Sequence, residues 1–295
     1  MRQLRYFAAA ADAGQFSRAA LKVHVSQSAI TTAVLQLEEL LGVKLFERLP
    51  HGVTLTAEGN RFYQHTRHVL DTLRDAAAET ALQQQALQGT VRVGATYAVL
   101  GYFLPNLLAR FKRSYPEVEI DLQDMGRAAV EEGVIGGSLD FGLVLISNAQ
   151  HLDAYERHVL IRSRRQLWMP SGHPLMQAPT VTLADVAAHP YIMLTIDEGD
   201  TASQRYWSPR GLEPKVVFRT ASVECLRGLV AHGFGVTILS DMLYRAWSLE
   251  GRKIEARPVN DTIPPMEVGL IWRRNGALDE AGSVFRQFII AACEK

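Results

Sequence analysis

The sequence has few cysteines, no excess of charge of one sign and no long hydrophobic run. Its 295 residues include two cysteines, Cys225 and Cys293, too few for a disulfide framework, and we expect both to be buried, reduced thiols. Lysine plus arginine numbers 31, as does aspartate plus glutamate, so no global basic field indicates a nucleic-acid partner. No run of about 18 apolar residues occurs, which argues against a membrane-spanning helix. The N-terminal MRQLRYFAAAADAG lacks the apolar block of a signal peptide, so we expect a cytoplasmic protein without membrane contact.

Enzyme motifs are also missing from the sequence. No GxxxxGK[ST], HExxH, GxSxG or CxxC occurs, and GFGVTI at 233–238 lacks the third glycine of a nucleotide-binding loop. His65 and His68 stand three residues apart, but no third metal ligand is near them, so a solvated helix face is the simpler interpretation. We therefore expect no enzyme activity, no metal and no cofactor.

The most informative stretch runs from Phe16 to Arg48, FSRAALKVHVSQSAITTAVLQLEELLGVKLFER. It predicts a short helix from Ser17 to Val23, a turn, and a second helix that the Ser26 hydroxyl can N-cap. Two crossed helices, the second with a small and polar outer face, fit the major groove of DNA and indicate a gene regulator. The second helix should bury an apolar stripe at 3.6-residue spacing, formed by Ile30, Val34, Leu37 and Leu41.

Elements on either side complete this N-terminal head. A helix from Gln3 to Ala13 can cover the core, and Val43–Arg48 should pair with Val53–Thr56 as a two-stranded wing. Thr56 can N-cap a long helix that no proline interrupts as far as about Leu87. Because that helix has no nearby core, we expect it to pack on its twin in a second chain, with one helix of a single-chain bundle as the alternative. Its apolar seam comprises Phe62, Val69, Leu73, Ala76 and Thr80 or Ala81.

From Thr90 the pattern changes to strands that alternate with helices. VRVGA, VEIDLQ and LDFGLVL are separated by predicted helices at Leu100–Ser114 and Ala128–Ile135, which indicates βαβ units and a parallel sheet. A second set begins near Arg162 with RQLWMP, VVFRT and VTILS, and MEVGLIW with a final helix closes the chain. One α/β unit interrupted by another gives two lobes around a cleft, with ligands at the carboxyl ends of the strands.

Several segments carry a family likeness: FSRAA at 16–20, LKVHVSQSAI at 21–30, LEE at 37–39, LGVKLFER at 41–48 and LTAEG at 55–59. With the looser LDFG at 139–142 and GFGV at 233–236, the chain resembles the bacterial LysR-type transcriptional regulators over essentially its whole length. The resemblance implies homotetramers, built as a dimer of dimers, that bind double-stranded promoter DNA. It also implies a response to a small-molecule effector, which we expect to be a polar metabolite, with RNA polymerase as a candidate partner.

The resemblance and the strand pattern together predict a multidomain α+β fold. A winged helix-turn-helix DNA-binding domain takes 1–57, and a linker or dimerisation helix takes 58–88. A two-lobed α/β effector domain, similar to periplasmic solute-binding proteins, takes 89–295. Its lobe I takes 89–162 and 266–295, and its lobe II takes 163–265.

Two departures from the family pattern lie on the surface expected to face DNA. Where the family commonly has a serine and two basic residues, this chain has Thr31, Thr32 and Leu35, and the wing tip reads LPHG instead of an arginine-rich sequence. Both changes remove charge-assisted contacts to guanine or phosphate, and Leu35 could instead contact thymine methyl groups in an A/T-rich half-site. The first 61 residues hold only seven lysines and arginines, so one head should bind weakly and need at least a dimer.

The candidate DNA-binding residues follow from these motifs. Gln27, Ser28, Thr31 and Thr32 are expected to contact bases and backbone, against the alternative of a solvated helix face. Arg48 is expected to hold a phosphate or to form an intramolecular salt bridge. Arg18 and Lys22 could contact the DNA backbone or be merely exposed. The full set is Arg18, Lys22, Ser26, Gln27, Ser28, Thr31, Thr32, Leu35, Arg48 and His51.

The effector site is expected where the first sheet strand meets a helix. Thr96 and Tyr97 open that helix, and a hydroxyl beside exposed N–H groups suits a carboxylate or another anion, with a simple N-cap as the alternative. The acidic loop 197–200 could favour an effector with an amino group, although a solvated turn is the better interpretation. Arg127 could balance an anion, with a surface arginine as the default. With family correspondence the set is Thr96, Tyr97, Leu145, Ile146, Thr195, Asp197 and Ser222.

A competing class remains for the later half of the chain. Taken alone, the two-lobed half would fit a small-molecule binding protein without a DNA role. That alternative leaves residues 1–87 unexplained and would require an export signal, which the N-terminus lacks. We therefore expect a sequence-specific DNA-binding transcriptional regulator whose promoter binding is controlled by a small-molecule effector held between two lobes.

Overall fold

The computed structural model describes residues 1–49, 52–79, 87–151 and 153–294. The chain divides into two compact units, Met1–Gln85 and Ala86–Lys295. Among the described residues, no helix combines the length and the apolar character needed to cross a membrane.

The first unit begins with three helices, α1 (Arg2–Ala13), α2 (Phe16–Lys22) and α3 (Gln27–Leu41). The predicted N-cap of α3 is confirmed, because the Ser26 hydroxyl accepts a hydrogen bond from the amide of Ala29 at 3.2 Å. The turn between α2 and α3 passes through His24, whose φ is +55°. Sequence and structure agree here to within one residue, because caps and apolar spacing are local signals.

The core of the first unit surrounds Phe7, whose ring centroid lies 5.4 Å from that of Phe46 and 5.1 Å from that of Phe62. Ala19 and Ile30 are fully buried against it. Leu41 was expected in the buried stripe of α3, but it is 40% exposed. In the last turns of α3 the buried position belongs instead to Glu38, which faces the loop to the wing.

The wing consists of β1 (Phe46–Leu49) and β2 (Gly52–Leu55), an antiparallel pair in which Phe46 is opposite Leu55. It starts later than predicted because main-chain groups of residues 44 and 45 are used elsewhere. The carbonyl of Lys44 accepts from the Thr56 hydroxyl at 2.7 Å, and the amide of Leu45 donates to Glu38.

The helix α4 (Ala57–Glu79) follows the wing. Its predicted N-cap is confirmed, since the Thr56 hydroxyl accepts from the amide of Gly59 at 2.8 Å. The expectation that this helix lacks a nearby core is wrong for its first turns, because Phe62 packs on Phe7. Further along, Val69 and Leu73 are 41% and 44% exposed. The side chains of Ala76, Thr80 and Ala81 lie outside the described residues.

The second unit alternates helices and strands. Its helices are α5 (Tyr97–Tyr102), α6 (Leu104–Ser114), α7 (Arg127–Gly136), α8 (Leu183–Ala187), α9 (Gly199–Trp207), α10 (Val223–Ala231) and α11 (Glu280–Cys293). Its strands are β3 (Gly89–Ala95), β4 (Val118–Asp124), β5 (Phe141–Leu145), β6 (Tyr155–Ser163), β7 (Arg165–Pro170), β8 (Pro190–Leu194), β9 (Lys215–Thr220), β10 (Thr237–Ser240), β11 (Ile254–Arg257) and β12 (Met266–Arg273).

The first lobe is built on a five-stranded sheet in the order β4-β3-β5-β12-β6. The strand β3 is parallel to β4 and β5, but β12 is antiparallel to β5 and β6, so the prediction of a parallel sheet is only partly right. The strand β6 was predicted only at its end, as a crossing strand near residue 162, because it is an edge strand whose sequence, YERHVLIRS, mixes charged and apolar residues. Its end and the start of β12 lie side by side, with Ser163 opposite Met266.

The second lobe repeats this arrangement. Antiparallel strands run in the order β10-β7-β11, and β8 pairs in parallel with β9. A parallel bridge between Tyr191 and Val236 joins the two groups, which gives the order β9-β8-β10-β7-β11. Each lobe therefore has four strands in one direction and one reversed strand, β12 in the first lobe and β7 in the second, next to the edge strand. The carboxyl ends of the parallel strands are where ligands bind in such sheets.

Each lobe has its own apolar core. Phe111, Phe141 and Phe285 are central in the first lobe, and Tyr191 and Trp207 in the second. The expectation of two buried thiols is wrong for Cys225, which is exposed on α10, whereas Cys293 is partly buried. Burial raises the pKa of the Cys293 thiol to about 11.

Candidate functional site

The outer face of α3 is open to solvent over most of its predicted contact residues. Gln27, Ser28 and Thr32 are exposed, and Leu35 is 47% exposed. Two hydroxyl groups on this face have neighbours of their own. Thr31 donates to the carbonyl of Gln27 at 3.0 Å, and Ser28 lies 2.9 Å from the hydroxyl of Ser26. The amide of Gln27 and the hydroxyl of Thr32 are therefore better placed than Thr31 to contact a base.

The wing is attached to α3 through the carboxylate of Glu38. It accepts from Lys44 Nζ at 2.7 Å and from the amides of Leu45 and Phe46 at 2.8 and 3.2 Å. Burial alone would raise the pKa of Glu38, but the hydrogen bonds from Lys44 and the two amides outweigh it and lower the pKa. The attachment holds the wing at a constant position relative to the helix that would enter the groove.

The predicted phosphate contacts differ in their surroundings. Arg18 is exposed, whereas Lys22 lies 3.8 Å from Asp12, a carboxylate that Tyr63 and Arg67 also approach. The salt bridge considered for Arg48 does not form with any residue in the described ranges, and its side chain is exposed on β1. His51, predicted at the wing tip, lies outside the described residues.

In the second unit, a cavity of about 540 Å³, including its open mouth, lies between the two lobes. The first lobe contributes Leu145 and Asn148 to its wall, and the second contributes Ser203 and Tyr206. Arg165, where the chain crosses from one lobe to the other, also lines it. A cleft between two lobes with a few polar groups in its wall is a position where small molecules bind.

The predicted effector residues are only partly brought together by this cavity. Leu145 and Asp197 line it. Ile146 instead packs against Gly269, and Ser222 N-caps α10 by accepting from the amide of Cys225 at 3.1 Å. The amide of Thr195 donates to the carbonyl of Thr220 at 2.9 Å within the second sheet.

The start of α5 does not show the N-cap considered for Thr96. Its hydroxyl makes no cap hydrogen bond, and it is buried without a hydrogen-bond partner among the described residues. The first turn is capped from the other lobe, because Asp197 Oδ2 accepts from the amide of Ala98 at 2.7 Å. Tyr97, which begins the helix, packs against the core of the second lobe.

The acidic loop is a bridge between the lobes and not a solvated turn. The side-chain amide of Asn148 donates to the main-chain carbonyl of Asp197 at 2.8 Å. Burial raises the pKa of Asp197, and the hydrogen bonds from the amides of Ala98 and Tyr97 oppose that effect. The carboxylate is therefore desolvated and compensated chiefly by main-chain donors.

Arg127 is not a surface arginine, since only 11% of its side chain is exposed. It contacts Glu198 of the second lobe at 2.8 Å and Glu131 of its own helix at 2.9 Å. Hydrogen bonding to Glu198 is the main cause that raises the pKa of this guanidinium. The anions that Arg127 balances belong to the protein itself.

Several cavity residues were missed by sequence reasoning. Arg165 donates to the carbonyl of Pro264 and has no carboxylate partner among the described residues, and burial lowers its pKa. Asn148 Oδ1 and Thr237 Oγ1 are buried and without hydrogen-bond partners in the described parts of the chain. The one available signal was position, because Arg165 adjoins the predicted crossing near residue 162 and Asn148 follows the LDFGLVL strand.

Comparison with known proteins gives a consistent result over both units. A family model described as the bacterial regulatory helix-turn-helix protein of the lysR family matches residues 1–60, and one described as the LysR substrate binding domain matches 84–294. The HTH-type transcriptional regulator YnfL of Escherichia coli is 29% identical over 300 residues, covering 99% of this chain and 98% of YnfL.

Solved structures agree with these matches. A putative LysR family transcriptional regulator of Pseudomonas aeruginosa has a TM-score of 0.65 and 26% identity, covering 100% of this chain and 99% of that one. Full-length BenM, a regulator of Acinetobacter baylyi, has a TM-score of 0.59 and 25% identity, covering 98% and 94% of the two chains. All three of these relatives carry the name of a transcriptional regulator.

Proposed function

The chain belongs to the LysR family of bacterial helix-turn-helix regulators, and we propose that α3 reads promoter DNA under the control of a small molecule in the cleft. As a LysR-type transcriptional regulator it combines a DNA-binding helix-turn-helix with an effector-binding domain. The observation that carries the proposal is the exposed outer face of α3 next to a rigidly attached wing. The match over residues 1–60 accounts for the segment that a solute-binding protein would leave unexplained.

We assign different roles to the residues of the head. Gln27, Thr32 and Leu35 contact base edges in the major groove, where an amide can pair with adenine and an apolar group can meet a thymine methyl. Arg18 and Arg48 contact phosphates, and Lys22 joins them when it leaves Asp12. Because one head has few lysines and arginines, its binding releases few counterions from the DNA. The affinity therefore depends on several heads acting together.

Self-association is supported by α4. Val69 and Leu73, one helical turn apart, expose apolar surface on a helix whose first turns are already anchored to the head. A second copy of the same helix would bury this surface. We propose that two chains dimerise in this way and that two such dimers form the DNA-binding assembly. Each chain would then contain a DNA-binding domain at 1–57, a dimerisation helix at 58–88 and a two-lobed effector domain at 89–295.

The cleft supports a small, polar effector. Thr237 Oγ1 and Asn148 Oδ1 are buried polar atoms without partners among the described residues, and a ligand that bonded them would remove their desolvation cost. Arg165 offers a cation that no carboxylate of the described chain neutralises. An effector that carries an anionic group or a strong hydrogen-bond acceptor on the side facing the second lobe would complement Arg165.

The DNA-reading proposal is tested by a gel shift with the full chain and the DNA upstream of its own gene. We expect a salt-sensitive and sequence-dependent shift, and Gln27→Ala should weaken it roughly tenfold, the size of one lost base contact. Gln36→Ala is the matched control, because Gln36 is an exposed glutamine of the same helix whose side chain is held by a hydrogen bond from Gln3. No sequence-dependent shift with the unaltered chain would overturn the proposal.

The effector is sought by thermal unfolding of the full chain with a panel of polar metabolites. A ligand of the cleft should raise Tm and change the gel shift, and Arg165→Met should abolish its effect on Tm. A ligand that stabilises the unaltered chain and Arg165→Met equally would not be using the second-lobe wall.

A further inference from the structure

The loop after β8 has a strained backbone. Asp197 and Glu198 have φ values of +51° and +61°, a region that side chains with a Cβ seldom occupy. Such conformations persist only where surrounding contacts over-determine them, and they are concentrated at functional positions. Here the contacts come from the first lobe, through the amide of Ala98, the side chain of Asn148 and the guanidinium of Arg127.

The contact made by Asp197 is the one that a bound anion would make. Its Oδ2 accepts from the amide of Ala98 at 2.7 Å, and both residues line the cavity. The hydroxyl of Thr96 leaves this turn uncapped. Main-chain amides at the start of a helix are donors that carboxylate ligands use, so a protein carboxylate holds a position where an anionic effector would otherwise bind.

We propose that Asp197 is a built-in ligand of the cleft, which holds the two lobes together and determines which effectors fit. The inference rests on the proposed function, because it names what the first-lobe wall of that same cleft accepts. A ligand carboxylate that approached Ala98 would meet the charge of Asp197 at a site where repulsion is stronger than in water. The cleft therefore accepts a molecule that is neutral or cationic where it faces α5.

Asn148 supports this specificity independently. Its amide nitrogen donates to Asp197, which leaves Oδ1 as a buried acceptor without a partner among the described residues. Asn148 lines the same cavity. A neutral or cationic group with an N–H or O–H donor would satisfy this oxygen, whereas a carboxylate would not.

The test is chemical rescue of the full chain carrying Asp197→Gly. Glycine adopts a φ of +51° without strain, so a lower Tm in this variant comes from the lost carboxylate and not from a distorted backbone. We expect Tm to fall by several degrees, and sodium formate to restore part of the loss in a saturable manner. Sodium chloride at equal ionic strength should not restore it, and the unaltered chain should gain nothing from formate beyond the effect of chloride.

Two further variants keep the test decisive. Asp197→Asn retains an acceptor in the same place, so its Tm should lie closer to that of the unaltered chain and formate should not raise it. This variant is compared with the unaltered chain if the glycine variant fails to fold. Asp200→Asn removes a carboxylate of the same loop that accepts a hydrogen bond from the neighbouring amide of Thr201, and it should behave like the unaltered chain.

The outcomes separate this inference from the proposed function. Equal formate responses in Asp197→Gly and the unaltered chain would overturn the role of Asp197 alone. A rescue by formate together with no sequence-dependent gel shift would instead overturn the DNA-binding proposal and leave the built-in ligand standing.

Discussion

Glu38 on α3 and Lys44 before the wing form an ion pair of 2.7 Å, and the same carboxylate accepts from the amides of Leu45 and Phe46. Glu38→Gln preserves the shape of the side chain but removes its charge. We expect the local opening free energy at the two amides to fall by about 1–3 kcal/mol at neutral pH, because charge-assisted bonds to buried donors are lost. Hydrogen exchange at Leu45 and Phe46 measures this directly.

The same carboxylate predicts an acid-sensitive wing. The pKa of Glu38 lies below its usual 4.5 in the folded chain. The stabilisation by Glu38 is therefore complete above the pKa that this residue has in the unfolded chain, and it is lost as the pH falls through the lower pKa of the folded chain. Exchange protection in the unaltered chain should approach that of Glu38→Gln on acidification. Glu39→Gln, at an exposed neighbouring position, should retain the normal acid response, and parallel pH profiles for all three proteins would contradict the assignment.

Leu35 on the open face of α3 is predicted to set base preference. Leu35→Arg introduces a side chain that pairs with guanine, so half-sites selected from a random DNA pool should shift toward G-containing sequences. Leu40→Arg adds the same charge to the same helix at a position that is 79% exposed and faces away from Leu35. It should raise affinity without changing the selected sequence. Identical selected sequences from Leu35→Arg and the unaltered chain would refute the role of Leu35.

The loss of Arg127 is expected to lower the free energy of unfolding more than the loss of the charge of Glu198. Arg127→Ala leaves Glu131, of which 2% is exposed, without its cation, and should lower the free energy of unfolding by about 3 kcal/mol or more. Glu198→Gln keeps the Arg127–Glu131 pair and should cost at most about 1 kcal/mol, because Glu198 is substantially exposed. Urea unfolding of both variants checks the ranking, and equal losses would show that Glu131 is stabilised by other groups.

Gly142 in the LDFG segment is predicted to be required by packing. A Cβ there would lie 2.5 Å from Val130 Cγ1 and 2.7 Å from Ile271 Cγ1, so Gly142→Ala should cost about 1–3 kcal/mol. Gly136 on α7 has nothing within 4 Å of its own Cβ position, and Gly136→Ala should be neutral or stabilise by up to about 1 kcal/mol. Thermal unfolding distinguishes the two, and a stable Gly142→Ala would mean that α7 and β12 move apart at little cost.

Much of the first unit could be predicted because its signals are local. The hydroxyl groups of Ser26 and Thr56 cap helices three residues ahead, and apolar spacing identifies the buried face of α3. Two errors came from contacts that spacing does not reveal. Leu41 continues the apolar spacing of α3 but is exposed, and Phe62 packs on Phe7, which lies far from it in the sequence.

Most strands of the second unit were predicted, at the edges of the sheets as well as in the centre, but β8 and β11 were not. β5 is buried along its whole length and gives a continuous apolar run, whereas the edge strand β6 and the short strand β11 do not. Strand direction was also beyond local reasoning. The chain returns to the first sheet at β12 after the whole second lobe, and nothing in MEVGLIW indicates that it runs antiparallel.

By itself the sequence determined the helix-turn-helix, the wing, the long helix and the two-lobed α/β class, because each depends on caps, turns and spacing within a few residues. Only the tertiary structure decided which groups line the cleft. Asp197 meets the amide of Ala98 across 99 residues of chain, Glu198 meets Arg127 across 71, and Arg165 reaches the same cavity. A residue's own neighbours in sequence set its conformation, but the desolvation and charge that decide ligand chemistry come from groups that only folding brings together.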